Sequence, residues 1–203
     1  MKHQKYYLSK KSKLIAGVDE AGCGSLAGSV IAAAVILHPT QPVFGLADSK
    51  KLSNNKRFNL YKNIIQNSLD WGIGSANVAE IDRFNILQAR LLAMKRAVQN
   101  LSIAPDLILI DGNHAPKFVE TPYQCFKKGD SRIPIISAAS IIAKVTRDQD
   151  MVMLDIQYPK YGFAQNKGYP TAFHLNQLEL YGPISHHRKS FAPIKHKIFH
   201  INK

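Results

Sequence analysis

Cysteine is nearly absent from this chain of 203 residues, with only Cys23 and Cys125. Two are too few for a disulfide framework, and no C-x-x-C spacing suggests a thiolate metal site. Both read as free thiols in a reducing compartment, and the simplest role for each is that of a small buried hydrophobe. Long apolar runs are missing too. The longest, residues 29–37, falls far short of the roughly 20 residues a membrane span needs. Residues 1–13 are basic and polar and lack the apolar stretch of a secretory signal, so a cytoplasmic location with no membrane partner is expected. Acidic residues are scarce: 14 Asp and Glu stand against 27 Lys and Arg, a net charge of +13. The excess sits at the ends. Residues 1–18 hold five lysines and no acid, and residues 156–203 hold seven Lys or Arg against Glu179. Such a surface attracts polyanions and gains from releasing their counterions. The length suits one domain, 1–203, with a small appendage over about 158–203.

Hydrophobic spacing predicts strands at 13–21 and 29–37, with a glycine-broken turn between them. Ser53 can cap a helix reaching about residue 69, followed by a weakly alternating strand at 71–78. Residues 81–101 have helical spacing, 106–110 and 123–126 read as strands, and Pro134 opens a long helix to about residue 156. Short helices are expected at 172–180 and 185–191. Strands that begin as a pair and then alternate with helices predict an α/β fold, a mixed sheet covered by helices.

The chemistry of such a sheet gathers beyond its strand ends. Asp19 and Glu20 close the first strand, Asp111 ends the strand at 106–110, and Asp130 follows the strand at 123–126. If these strands are neighbours, four acids converge. Like charges repel and raise one another's pKa, so the cluster calls for a divalent cation. Oxygen donors without a His or Cys cluster favour Mg²⁺ or Mn²⁺, and two such ions suit phosphodiester cleavage. Adjacent strand residues face opposite ways, so Asp19 and Glu20 can share a site only if the strand bends or bulges. The alternative is that the acids are separate loop or capping residues.

Other features stay open in the same way. Gly22-x-Gly24-x-x-Ala27 weakly fits a dinucleotide fingerprint, but a strand rather than a helix is expected after it. Ser137, Ser140, Lys144, Arg147 and Asp148 form a polar stripe on the long helix, either solvated or facing the acids. Lys50, Lys51, Lys127 and Lys128 are surface charges singly and a phosphate track together. Tyr169 is either a core residue or a platform for a sugar or base. His186 and His187, adjacent and so poor chelators, read as basic surface.

Taken together, GVDEAGCGSLAG (17–28), DSKKLS (48–53), LIDGN (109–113), KGDSRIPIISAASIIAKVTRD (128–148), YPKYGFAQNKGYPTAFH (158–174) and HHRKSFAP (186–193) resemble bacterial ribonuclease HII, in the family's order and across most of the chain. The resemblance implies a ribonuclease H-like mixed five-stranded sheet flanked by helices, with a small helical C-terminal part. It implies hydrolysis of the RNA strand of RNA–DNA hybrids and incision 5′ of single ribonucleotides in duplex DNA, by a monomer using Mg²⁺ or Mn²⁺. Asp19, Glu20, Asp111 and Asp130 are then the catalytic metal ligands. Gly22, Cys23, Gly24, Ser49, Lys50, Lys144 and Tyr169 are the substrate-binding residues. A non-catalytic duplex-binding protein of the same fold, or a junction resolvase, is the alternative. One departure stands out: the family usually has Gly-Arg-Gly where this chain has Gly22-Cys23-Gly24, and Pro at Ser25 and Ser29.

Overall fold

A computed structural model describes residues 13–46, 52–116, 121–192 and 194–195. Five strands form one sheet: β1 (Ile15–Ala21), β2 (Val30–Leu37), β3 (Ser68–Ala76), β4 (Leu107–Asp111) and β5 (Tyr123–Phe126), in the order β3-β2-β1-β4-β5. β2 runs antiparallel to β1 and β3, whereas β1, β4 and β5 are parallel. The parallel strands therefore end together, which brings the carboxyl ends of β1 and β4 side by side.

The sheet is covered on both faces because its central strands are apolar on both. Along β2, Val30, Ala32, Ala34 and Ile36 pack against Ala89, Ala93, Met94 and Ala97 of α2 (Val78–Gln99). The alternate residues Ala33 and Val35 pack against α3 (Pro134–Gln157) and Ile64 of α1 (Asn54–Asn67). This is the period-2 alternation of a strand with two apolar faces. Gly17 brings α3 close: a Cβ there would lie 2.3 Å from the Ile135 carbonyl oxygen, so no larger residue fits between β1 and the start of α3. Ser53 caps α1 by accepting from the Lys56 amide, as the sequence predicts.

Two expectations give way. The helix predicted over 81–101 is interrupted at Asn85, whose φ of 67° is non-helical. The Asn85 side chain accepts from the Gln88 amide, so it re-caps the helix beyond the break. No helix forms over 185–191. There the backbone turns outward to another segment: the Gly28 amide donates to the His186 carbonyl, and the Arg188 amide donates to the Leu26 carbonyl. Beyond α3, a 3₁₀ turn (Pro159–Tyr161), α4 (Phe163–Asn166) and α5 (Ala172–Tyr181) bury Tyr161, Phe163 and Leu178 against Leu26, Ala27 and Met151. The segment after α3 is thus packed onto the turn between β1 and β2. Among the described residues, no helix is long and apolar enough to cross a membrane.

Candidate active site

A cavity of about 560 Å³ opens at the carboxyl ends of β1 and β4, lined by acids, the glycine turn and α3. Asp19, Glu20 and Asp111 lie in its wall. The β1–β2 register runs unbroken from Gly17 to Ala21, so no bulge turns Asp19 and Glu20 to the same side. They leave β1 on opposite faces. Asp19 faces α3, where the Ser140 side chain hydrogen-bonds it. Glu20 faces α2, where Arg90 Nη1 approaches its Oε1 at 3.1 Å. The shared cavity arises because β4 stops pairing with β1 at Val18–Ile110, leaving both faces open at the strand's end.

Asp111 is fixed by the turn that follows its neighbour strand β5. Its Oδ1 accepts from the Gly129 amide at 2.6 Å and the Asp130 amide at 3.4 Å. Asp130 is buried in the 3₁₀ turn Gly129–Ser131, and its carbonyl accepts from the Ser137 hydroxyl. Asp130 is therefore tied to Asp111 through the backbone, outside the cavity lining.

The electrostatics are only partly compensated. Burial raises the Asp19 carboxyl well above its ordinary range, and Glu20 and Asp111 raise it further. Glu20 is also raised, first by burial, although Arg90 pulls the other way. Its Oε2 is buried without a hydrogen-bond partner. Among the described residues, no three His, Cys, Asp or Glu side chains are already gathered into a coordination shell. Crowded carboxylates with an orphaned oxygen fit a hard divalent cation, which would supply the missing positive charge.

The expected substrate residues Gly22, Cys23, Gly24, Lys144 and Tyr169 all line this cavity. Ser49 and Lys50, with Lys51, lie outside the described residues. The Cys23 thiol sits 3.5 Å from Glu20 Oε1 and is pushed up to about 12 by burial and by the Glu20 charge, so it remains a neutral S–H donor. Tyr169 stands over the Gly24 backbone, its ring centroid 5.9 Å from Lys144 Nζ. The polar stripe of α3 is not a solvated face: Ser137, Ser140 and Arg147 are buried, and Lys144 pairs with Asp148. Nor is His187 basic surface, since it is fully buried. The fingerprint reading fails because β2, not a helix, follows Gly28.

Sequence reasoning assigns no site role to Arg57, Arg90 or Arg188, although Arg188 lies within the HHRKSFAP segment. Arg57 lines the cavity and donates to the Leu52 carbonyl and to Asn54 Oδ1. Arg188 is buried beneath the turn and donates to the carbonyls of Gly22, Cys23 and Gly28. Arg57 and Arg90 are single charges on helices, which carry no pattern to read, and the partners of Arg188 lie some 160 residues away in the chain.

A five-stranded mixed sheet with acids at the ends of its parallel strands defines a hydrolase of the ribonuclease H-like fold. Among solved structures, the ribonuclease H2 of Pyrococcus horikoshii superposes with a TM-score of 0.77 at 27% identity, covering 93% of this chain and 99% of that one. A Bst-RNase HIII structure in complex with Mn²⁺ superposes at 0.71 and 18% identity, covering 95% and 71%. The family model for ribonuclease HII matches residues 16–194. The ribonuclease HII of Blochmanniella pennsylvanica is 78% identical over 96% of this chain and 89% of its own length. That of Blochmanniella floridana is 62% identical, over 96% and 97%. The chain belongs to the ribonuclease HII family, and it is a ribonuclease H.

Proposed function

We propose that this ribonuclease H acts as a monomer, cutting the RNA strand of RNA–DNA hybrids and incising duplex DNA on the 5′ side of single ribonucleotides. The products are 3′-hydroxyl and 5′-phosphate ends. The observation that carries the reading is the cavity itself. Three carboxylates from two adjacent strands face one opening, one of their oxygens is buried without a partner, and a basic protein surrounds them. Two divalent ions, Mg²⁺ or Mn²⁺, would activate the attacking water and neutralise the departing 3′-oxygen.

The chain's own residues do the rest. Asp19, Glu20 and Asp111 hold the charge that recruits the cations, and Asp130, outside the cavity lining but with its amide on Asp111, is the fourth ligand of the reading. Ser140 and the Glu20 amide orient Asp19, and Arg90 orients Glu20. Gly22 and Gly24 line the cavity without side chains of their own, so their N–H groups can approach a ribose 2′-hydroxyl, the group that separates RNA from DNA. Tyr169 offers a stacking surface beside it, and Lys144 a charge for phosphate. Cys23 stands where the resemblance implies arginine, so recognition at the ribonucleotide would rest on backbone and thiol donors.

The test is a gel assay on duplex DNA containing one ribonucleotide, with Mg²⁺, Mn²⁺ or chelator. Wild-type protein should cut only with metal. Asp19→Asn should bind the duplex yet lose on the order of 10³-fold in rate, since metal-borne charge stabilisation is worth several kcal/mol. Metal-dependent cutting retained by Asp19→Asn would refute the assignment, and cleavage confined to all-DNA branched duplexes would refute the substrate.

A further inference from the structure

Behind the cavity, two histidines do no chemistry in the proposed reaction. His174 and His187 are fully buried, and their Nε2 atoms lie 3.0 Å apart. Their partners fix which nitrogen holds each proton. The Ile184 amide donates to His187 Nδ1 at 3.0 Å, so that nitrogen is bare. A neutral His187 must then carry its hydrogen on Nε2 and donate it to His174 Nε2. His174 in turn carries its hydrogen on Nδ1, 2.9 Å from the Tyr169 carbonyl oxygen. The relay runs one way, from Ile184 through both rings to Tyr169.

Its surroundings keep it neutral. Tyr161 and Phe163 pack their rings against both imidazoles. Tyr161 turns its hydroxyl away to the Gly182 carbonyl. The nearby titratable group acting on His187, apart from its partner, is His186. Burial lowers His174 below its ordinary 6.5 and His187 to about 4. A proton added to either ring would set two N–H groups against each other.

One end of the relay reaches the substrate cavity, and the other reaches the far side of the turn that borders it. At one end is Tyr169, whose ring lines the cavity. At the other, His187 pairs with Ala27, while its neighbours His186 and Arg188 bond the Gly28 amide and the Leu26 carbonyl. We propose that the His174–His187 pair is a positioning device that fixes the Tyr169 carbonyl, and so the Tyr169 ring, against the Gly22–Gly28 turn. This rests on the reading of the cavity as a nucleic-acid site.

Two measurements test it. Long-range ¹H–¹⁵N spectra of the wild-type protein should show hydrogen on Nδ1 of His174 and on Nε2 of His187, with His187 staying neutral down to about pH 5 and His174 titrating below its ordinary 6.5. The opposite tautomers, or titration near the ordinary histidine value, would overturn the relay. Fluorescence anisotropy with chelator, on duplex DNA containing one ribonucleotide, reads the effect on Tyr169. His187→Phe should weaken binding about five- to tenfold, the scale of one buried hydrogen bond, and His187→Gln, which keeps a donor, should recover most of it. In a Tyr169→Ala background His187→Phe should change affinity less than about twofold, because coupled residues are non-additive. An equal loss in both backgrounds, or no recovery by Gln, would mark the pair as merely structural. Wild-type protein that binds no ribonucleotide-containing duplex would instead refute the nucleic-acid reading and this role for Tyr169, while the spectra would still decide whether the relay exists.

Discussion

The turn between β1 and β2 separates two buried charged regions that are finished in opposite ways. Beneath it, Arg188 is fully buried, and its guanidinium makes hydrogen bonds of 2.8–3.0 Å to three carbonyls of the turn. Above it, Asp19, Glu20 and Asp111 share a cavity, crowd one another, and leave Glu20 Oε2 unpartnered. The protein alone completes the first; the second waits for something from outside. A buried polar group is costly unless paired. The contrast therefore separates what holds the turn in shape from what the turn presents to ligand and metal.

The comparison can be broken from the arginine side first. Arg188→Ala leaves the Gly22, Cys23 and Gly28 carbonyls without their donor, a loss of about 3–5 kcal/mol. Urea unfolding should show a much lower midpoint, and a change under about 1 kcal/mol would mean that water replaces the arginine. A smaller effect is expected in the turn itself. Gly22 has a φ of +95°, and a Cβ there would lie 1.9 Å from Arg147 Nε. Gly22→Ala should cost about 2 kcal/mol, from left-handed backbone strain and displacement of that arginine, and should lower cleavage together with stability. Wild-type stability in Gly22→Ala would show that the turn has another conformation available.

Much of this was legible in the chain. The apolar runs and turn residues mark β1, β2, β4, β5 and α3 to within a residue or two: the middles of β1, β2 and β4 are buried on both faces, and α3 opens at Pro134. Asp19, Glu20 and Asp111 could be found because strand ends carry function in mixed sheets. What stayed hidden depends on contacts distant in sequence. Residues 185–191 look helical by composition, yet their backbone bonds are claimed by Leu26 and Gly28. His187 looks like surface beside His186, but it is enclosed by Tyr161, Phe163 and His174. Two acids side by side suggested a bulge, whereas an early end to β1–β4 pairing serves with no distortion of β1.

The claim that the acid cluster is incomplete without cations has a signature in stability alone. Asp19 holds its proton above its ordinary 3.8 in the folded state, so without metal, stability falls as pH rises from about 4 toward the raised folded value. Above that range the buried acid is therefore a burden on the fold, and Asp19→Asn should relieve it. The decisive measurement is the melting temperature of wild type and Asp19→Asn at pH 7, first in chelator and then across a Mn²⁺ titration. In chelator the variant should melt higher by a few degrees, about 1 kcal/mol at this size. With Mn²⁺ the wild type should rise past it, because a ligand bound only by the folded state stabilises it. Curves that never cross, with the wild type higher in chelator or no response to Mn²⁺, would contradict a site built to be completed by metal.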